Sequence, residues 1–253
     1  RLIPPCRREF GKDVYRPGVI SLSRIIWGSV GGGLILAVIA LASRATGVGV
    51  LYPPLAASCF IAATCTFLRV ARPKSVIVGH FISTVGGLLG VHAGQWLAGG
   101  TDLLVPAKLG LAVLLAAALM QVLDADHPPA AATAAIPAIL PLPAPELTLP
   151  LHMAWGGVLA VLVGVAWNRL WFECPPAEEN CPRSWLGLGM EKADIAGCGV
   201  CLAAAAFMAA RPLSEGIYTA GLWLMLAGVA VLSVHHFFRS EEHTSELQSL
   251  AYL

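Results

Sequence analysis

The sequence predicts an all-α, polytopic membrane protein, built as an inverted repeat of three-helix units with two further helices at the C-terminal end. Three observations carry this reading. Hydrophobic residues make up 57% of the chain and charged residues 12%, about half the charge of a soluble domain. Apolar runs recur from end to end, and a helix of ~20 residues at ~1.5 Å per residue covers ~30 Å of hydrocarbon. Finally, Tyr52-Pro53-Pro54-Leu55-Ala56-Ala57-Ser58 returns 75 positions later as His127-Pro128-Pro129-Ala130-Ala131-Ala132-Thr133. Both copies read ring, Pro-Pro, any residue, Ala-Ala, small hydroxyl. Paired short, proline-broken segments in matching halves of a membrane protein point to a transport site.

Residues 1–18 form a basic N-terminal segment that begins at Arg1, as a fragment would. Six apolar segments follow, at about 19–43, 53–68, 75–98, 103–123, 128–143 and 151–172. Those opened by Pro-Pro have about 16 residues, and Pro137 interrupts the second. At ~24 Å as helix they are short crossings or re-entrant hairpins. A loop at 173–193 leads to two more apolar segments, about 194–210 and 217–238. The tail, 239–253, reads differently: Arg239 to Ser249 resembles a translated sequencing adapter and is set aside from fold reasoning.

Charge decides between crossing and re-entry. If all eight segments cross with the N-terminus inside, twelve Lys and Arg fall on the inner side. Only Arg44, Lys108 and Arg211 fall outside. Re-entrant short segments would weaken this to ten against five, so the positive-inside rule favours crossing. Each unit then has three crossings, an odd number, and the second unit (103–172) inserts upside down relative to the first (19–98). Pro73 and Pro150 precede the third helix of each, and Gly86-Gly87 is matched with Gly156-Gly157.

Proline suits the first turn of a helix, where its missing N–H has no intrahelical partner. Pro53, Pro54, Pro128 and Pro129 are therefore helix starts first. A ligand role is additional: free N–H groups and the helix dipole attract anions. Ala57 lets a ligand approach closely, and Ser58 and Thr133 can donate hydrogen bonds or back-bond to the preceding turn. His127 could cap its helix, relay a proton or bind an anion when charged. Asp124 and Asp126 beside it read as solvated helix-end acids or as proton-coupling groups. His80 and His92 lie inside one apolar segment, where an ionisable group is a functional hypothesis by default, although a neutral histidine bonded to a neighbouring helix is the simpler reading. Asn168 is placed to bridge helices, and Arg169 to anchor the inner surface. Gly28 and Gly32, then Gly86, Gly90 and Gly94, have the spacing of close helix packing. Trp27, Trp96, Trp171 and Trp185 fall near segment ends, as an interfacial belt would place them.

Cys59, Cys65, Cys198 and Cys201 sit in apolar runs and read as reduced, structural thiols. No histidine pair has a metal spacing, no cofactor is implied, and no catalytic or nucleotide-binding motif occurs. The chain is therefore not read as an enzyme, and nothing suggests nucleic acid.

The run His127-Pro128-Pro129-Ala130-Ala131-Ala132-Thr133-Ala134 resembles the HPP family of integral membrane proteins. Pro53-Pro54 with Ala57-Ser58, then Pro73-Lys74-Ser75-Val76-Ile77-Val78-Gly79-His80, and Asn168 support it, over about 22–172. The resemblance implies four transmembrane helices and a mostly bacterial family with a transport role. Plastid relatives associated with nitrite transport suggest that anion. Glycine is expected at position 56, where the chain has alanine. The expectation is thus passage of a small inorganic anion, nitrite-like, by channel or proton-coupled carrier. The site would lie between the two Pro-Pro helix starts, around Ser58, Thr133, His127 and His80. The setting would be the bacterial inner membrane with a cytoplasmic N-terminus, and a homo-oligomer stays open. The alternative is a membrane sensor or scaffold without flux.

Overall fold

The computed structural model describes residues 22–64, 69–140, 146–171 and 192–251. These residues form eight α-helices: α1 (Leu22–Thr46), α2 (Tyr52–Thr64), α3 (Pro73–Ala98), α4 (Leu104–Val122), α5 (Pro128–Ile139), α6 (Leu149–Trp171), α7 (Lys192–Ala209) and α8 (Glu215–Ala251). Two single turns of tighter helix, Arg69–Ala71 and Glu146–Thr148, lead into α3 and α6. Five of the helices are long and apolar enough to cross a membrane, over Ile25–Thr46, Pro73–Ala98, Leu104–Val122, Glu146–Asn168 and Glu215–Val234. The protein is a multi-pass membrane protein by this measure. α8 runs on past its apolar part, through the polar residues of the tail. Cys65, Trp185 and the 173–190 loop lie outside the described residues.

The dressing is inside out, as lipid demands. Leu41, Phe60, Leu114 and Trp223 face outward, while Ser58, Ser83, Thr84, His80, His127 and Thr133 are buried. A buried polar group needs a partner, and in lipid there is no water to supply one.

The two short helices start at opposite ends of the bundle. α2 starts beside the Gly49 carbonyl and the first turn of α6, and its end lies against Asn168 in the last turn of α6. α5 starts at the opposite end, where His127 meets the Val70 turn and Arg69 pairs with Asp124. One to two turns of each short helix follow its neighbour in parallel. Gly79 and Gly87 of α3 face Ala130 and Ala134 of α5, while Gly156 and Gly164 of α6 face Leu55 and Ala62 of α2.

These contacts correct one match made in the sequence. Gly86-Gly87 does not correspond to Gly156-Gly157. Gly79 meets Ala125 and Ala130, and Gly156 meets Val50 and Leu55, which are the equivalent positions of the two Pro-Pro copies. Counted from Pro73 and Pro150, both glycines lie six residues on. Gly86, Gly90 and Gly94 instead seat α3 on the backbone of α4 at Ala116, Ala112 and Lys108. No Cβ stands between the two helices at these points, which is the small-residue packing expected of them. Gly28 and Gly32 similarly admit Thr64 and Phe60 of α2.

α7 and α8 form a hairpin docked on this core. The Trp155 indole N–H donates to the Ala205 carbonyl at 3.1 Å, and Arg211 donates to the Gly47 carbonyl at 2.8 Å. Cys59, Cys198 and Cys201 are free thiols.

Candidate functional site

The two Pro-Pro helices meet through their side chains, at one buried point. Pro53-Pro54 starts α2, so Ser58 falls one turn in and faces the bundle centre. Pro128-Pro129 starts α5, with His127 as the extended residue just before it, φ −142° and ψ 90°. Its ring turns inward and its Nδ1 lies 2.7 Å from the Val70 carbonyl. Its Nε2 lies 2.7 Å from Ser58 Oγ. His80, two turns into α3, approaches the same oxygen, Nε2 to Oγ 2.8 Å. The other face of His80 reaches Thr133 of α5, Nδ1 to Oγ1 3.1 Å. The two imidazoles stand edge to face with centroids 5.2 Å apart.

Local packing explains how three helices converge here. Gly79 has no side chain, so the His127 Cβ and the Ala125 carbonyl press against α3 just before His80. Ser83 donates to the Ala130 carbonyl of α5, and Thr84 back-bonds to the His80 carbonyl at 2.7 Å. Ser58 also lies 3.2 Å from the Pro54 carbonyl, the back-bonding geometry of a helical serine. Ser58, His80, His127 and Thr133 are at most 1% exposed.

Of the residues singled out from the sequence, Ser58, Thr133, His127 and His80 are brought together. Pro53, Pro54, Pro128 and Pro129 build the two helix starts, whereas Ala57, expected at the site, is exposed on the outer face of α2 and does not line the cluster, because it lies about 100° around the helix from Ser58. Asp124 pairs with Arg69 and takes a left-handed backbone, φ 51°. Asp126 is exposed. His92 is exposed on α3, more than three turns beyond His80, and belongs to no buried cluster. Asn168 bridges helices as expected, donating to the Ala62 carbonyl of α2 and the Gly164 carbonyl of its own helix, both at 2.7 Å. Trp27 packs against Trp167 across the α1–α6 contact.

A second buried histidine cluster was not legible in the sequence. His152 bonds the Gly49 carbonyl at 3.0 Å and the Tyr218 hydroxyl at 2.7 Å, with Arg211 stacked over the Tyr218 ring. It ties the hairpin to the loop that leads into α2. A histidine in the first turn of a span looks interfacial, and Tyr218 is 66 residues away in the chain.

Among the described residues no group of three or more His, Cys, Asp and Glu is placed to hold a metal ion. A crevice of about 30 Å³ beside the Val70 turn is lined by Ala62, Ala71, Pro73, Val76 and Gly164. Its walls are apolar, so it lacks the partners that would hold an ordered water.

The family model for the HPP transmembrane region matches residues 17–175. That interval contains four of the long apolar helices, α1, α3, α4 and α6, with α2 and α5 as the short ones between them. No curated protein and no solved structure gives a match.

Proposed function

Because the chain belongs to the HPP transmembrane family, with both of its Pro-Pro helices feeding one buried polar point, we propose that it passes a small inorganic anion across the membrane. The observation that carries this is the convergence of Ser58, from one Pro-Pro helix, with His127 and Thr133, from the other. Two helices that begin at opposite ends of the bundle bring their first two turns to the cluster, and with them the positive ends of their dipoles. Inverted insertion of the two units, about a pseudo-two-fold axis in the membrane plane, accounts for that arrangement. The pairs of helices in contact agree with it: α1 with α2 as α4 with α5, α2 with α6 as α5 with α3, and α3 with α4 as α6 with α1. Histidines within the site suit proton coupling, and the Lys/Arg bias favours a cytoplasmic N-terminus.

The test is uptake of nitrite and related anions into vesicles holding the purified protein. Flux above that of empty vesicles, reduced at least tenfold by His80→Ala, is the expected result. Equal flux in loaded and empty vesicles across pH would remove the transport reading.

One observation favours a sensor or scaffold instead. The cluster is closed, and its polar atoms satisfy one another. A structural role would then show as strong destabilisation by His80→Ala with no flux in any variant. An acyl-transfer enzyme fits less well, although Ser58 and His127 lie at the distance of a nucleophile and its base. The Ser58 oxygen is clamped between two imidazoles, and His127 is oriented by a backbone carbonyl rather than a carboxylate.

A further inference from the structure

We propose that Thr133, His80, Ser58 and His127 form a proton relay whose resting polarity is set by the Val70 carbonyl, with the Ser58 hydroxyl as its moving part. The proposal deepens the transport reading by naming a second transported species, the proton, and the atoms that carry it.

The polarity follows from one end. A carbonyl oxygen can only accept, so His127 holds its proton on Nδ1 and gives it to Val70. In the neutral ring Nε2 is then a lone pair, and Ser58 must donate to it at 2.7 Å. That uses the single serine proton, so Ser58 Oγ accepts from His80, which carries its proton on Nε2 at 2.8 Å. His80 Nδ1 is therefore a lone pair and accepts the Thr133 hydroxyl at 3.1 Å. Each assignment forces the next, and two neutral imidazoles satisfy the whole set.

The same heavy atoms also satisfy a state with one more proton. The Pro54 carbonyl, 3.2 Å from Ser58 Oγ, offers the hydroxyl a second acceptor. With the hydroxyl turned there, the serine oxygen has two lone pairs free and accepts N–H from both rings, His80 neutral and His127 charged. No side chain need leave its place.

Transfer into the relay balances simply. Thr133 is buried at rest; when the bundle opens to water on its side, a hydronium ion gives its proton to Thr133 Oγ1 and leaves as water. The Thr133 hydroxyl proton passes to His80 Nδ1, the His80 Nε2 proton to Ser58 Oγ, and the Ser58 proton to His127 Nε2. Only O–H and N–H bonds form and break, and one positive charge arrives on His127. His80 is left protonated on Nδ1, with Ser58 donating to its Nε2. The return to the Nε2–H form, with the hydroxyl turned to Pro54, resets the chain for the next proton. The charged groups on the elements packed around the His127 ring are Asp124 and Asp126 of its own loop, Arg69 of the facing turn, which pairs with Asp124, and Arg72 and Lys74 at the start of α3. His80 is the neighbouring ring. α2 and α5 contribute no charged residue.

The test uses the full chain in vesicles enclosing a pH-sensitive dye, with a potassium diffusion potential to drive protons inward. Wild type should acidify the lumen. Ser58→Ala should lower the rate at least tenfold, while Ser58→Thr, which keeps the hydroxyl, retains most of it. Ser233→Ala, which removes a hydroxyl on α8 outside the relay, should leave the rate within twofold. A readout independent of flux is nitrogen-15 NMR of labelled histidines in the wild type, expected to show His127 protonated on Nδ1 and His80 on Nε2. Proton entry into Ser58→Ala vesicles at the wild-type rate, no entry into wild-type vesicles, or His80 protonated on Nδ1 in the neutral protein would each overturn the relay. If Ser58→Ala does not insert, the wild-type tautomers decide. Absence of nitrite flux alongside proton flux would sink the anion reading and leave the relay standing.

Discussion

The two Pro-Pro copies share a frame and differ in what they carry. Each opens a short helix packed parallel to the third helix of the other unit, against a glycine six residues past that helix's proline. At the ring position they part. His127 is 1% exposed and bonded on both nitrogens, whereas Tyr52 is 41% exposed and bonds only Ser43, at 3.2 Å. The third helices part too. Where α3 has His80, α6 has Gly157, whose missing side chain lets the backbone of Val76 and Ile77 come close. Only the hydroxyl position is used alike, with Ser58 and Thr133 both turned to His80. One copy supplies the imidazole chemistry, and the other supplies a hydroxyl and the room to pack. A repeat fixes where helices start, and the departures from it locate the buried polar cluster.

The sharpest way to break this asymmetry is to make the second copy like the first. His127→Tyr puts a larger ring into a closed site and removes the acceptor for the Ser58 proton. We expect a loss of about 2–4 kcal/mol in stability, from overpacking plus an unsatisfied buried partner. Proton flux should fall at least tenfold. The mirror change, Tyr52→His, alters an exposed ring and should stay within about 1 kcal/mol in a detergent melt. Comparable losses in both variants would show that the two ring positions are equivalent after all.

A smaller contrast lies in the glycine sockets. A Cβ on Gly79 would sit 2.9 Å from the His127 Cβ and 3.0 Å from the Ala125 carbonyl, atoms fixed to backbone. On Gly156 it would meet a Leu55 methyl at 2.7 Å, the end of a side chain that can turn away. Gly79→Ala should therefore destabilise by about 1–3 kcal/mol and Gly156→Ala by less, about 0.5–1.5 kcal/mol. Reversal of that order in paired melts would mean that the α6 socket is the tighter of the two.

Much of this was legible in the letters, and for identifiable reasons. Hydropathy marked the spans, because lipid requires an apolar surface, and proline marked the starts of α2, α3 and α5, because position N1 tolerates it. The Pro-Pro repeat named Ser58 and Thr133, and their burial with His80 and His127 followed from one apolar neighbourhood. The register of the third helices was not legible. Glycine pairs look alike in sequence, whereas the correspondence of Gly79 with Gly156 depends on which backbone atoms press on each. His152 was missed for the same kind of reason, since its partners Gly49 and Tyr218 are distant in the chain and nothing local announces them. His92, read with His80 as one of two buried histidines, points the other way. On a helix, residues 12 positions apart lie about 120° apart, so one apolar segment has both an inner and an outer face.

Asn168 tests the comparison more gently. It joins α6 to α2 through the Ala62 carbonyl, and the corresponding place on α3 holds Val91, which cannot do this. Asn168→Ala should cost about 0.6–1.7 kcal/mol, the range for interhelical hydrogen bonds in membranes. A change near zero in the melt would mean that the two third helices are held to their short partners by packing alone.

The smallest expected effect lies in the loops that precede the two ring positions. The one before Tyr52 turns at Gly47, φ 73°, and is held by the hairpin through Arg211. The one before His127 turns at Asp124, φ 51°, and is held by Arg69 from within the core unit. A left-handed conformation favours glycine and is less unfavourable for Asp than for most residues. Asp124→Gly therefore relieves backbone strain while losing a half-exposed ion pair worth about 0–1 kcal/mol. The two should nearly cancel, leaving stability within about 0.5 kcal/mol of wild type. Asp124→Ala loses the pair and keeps the strain, and should be the less stable of the two by about 1 kcal/mol. If the glycine variant falls well below wild type, the ion pair rather than the turn sets the position of His127, and the loop before the second copy is held by a salt bridge where the first is held by the Arg211 hydrogen bond to the Gly47 carbonyl.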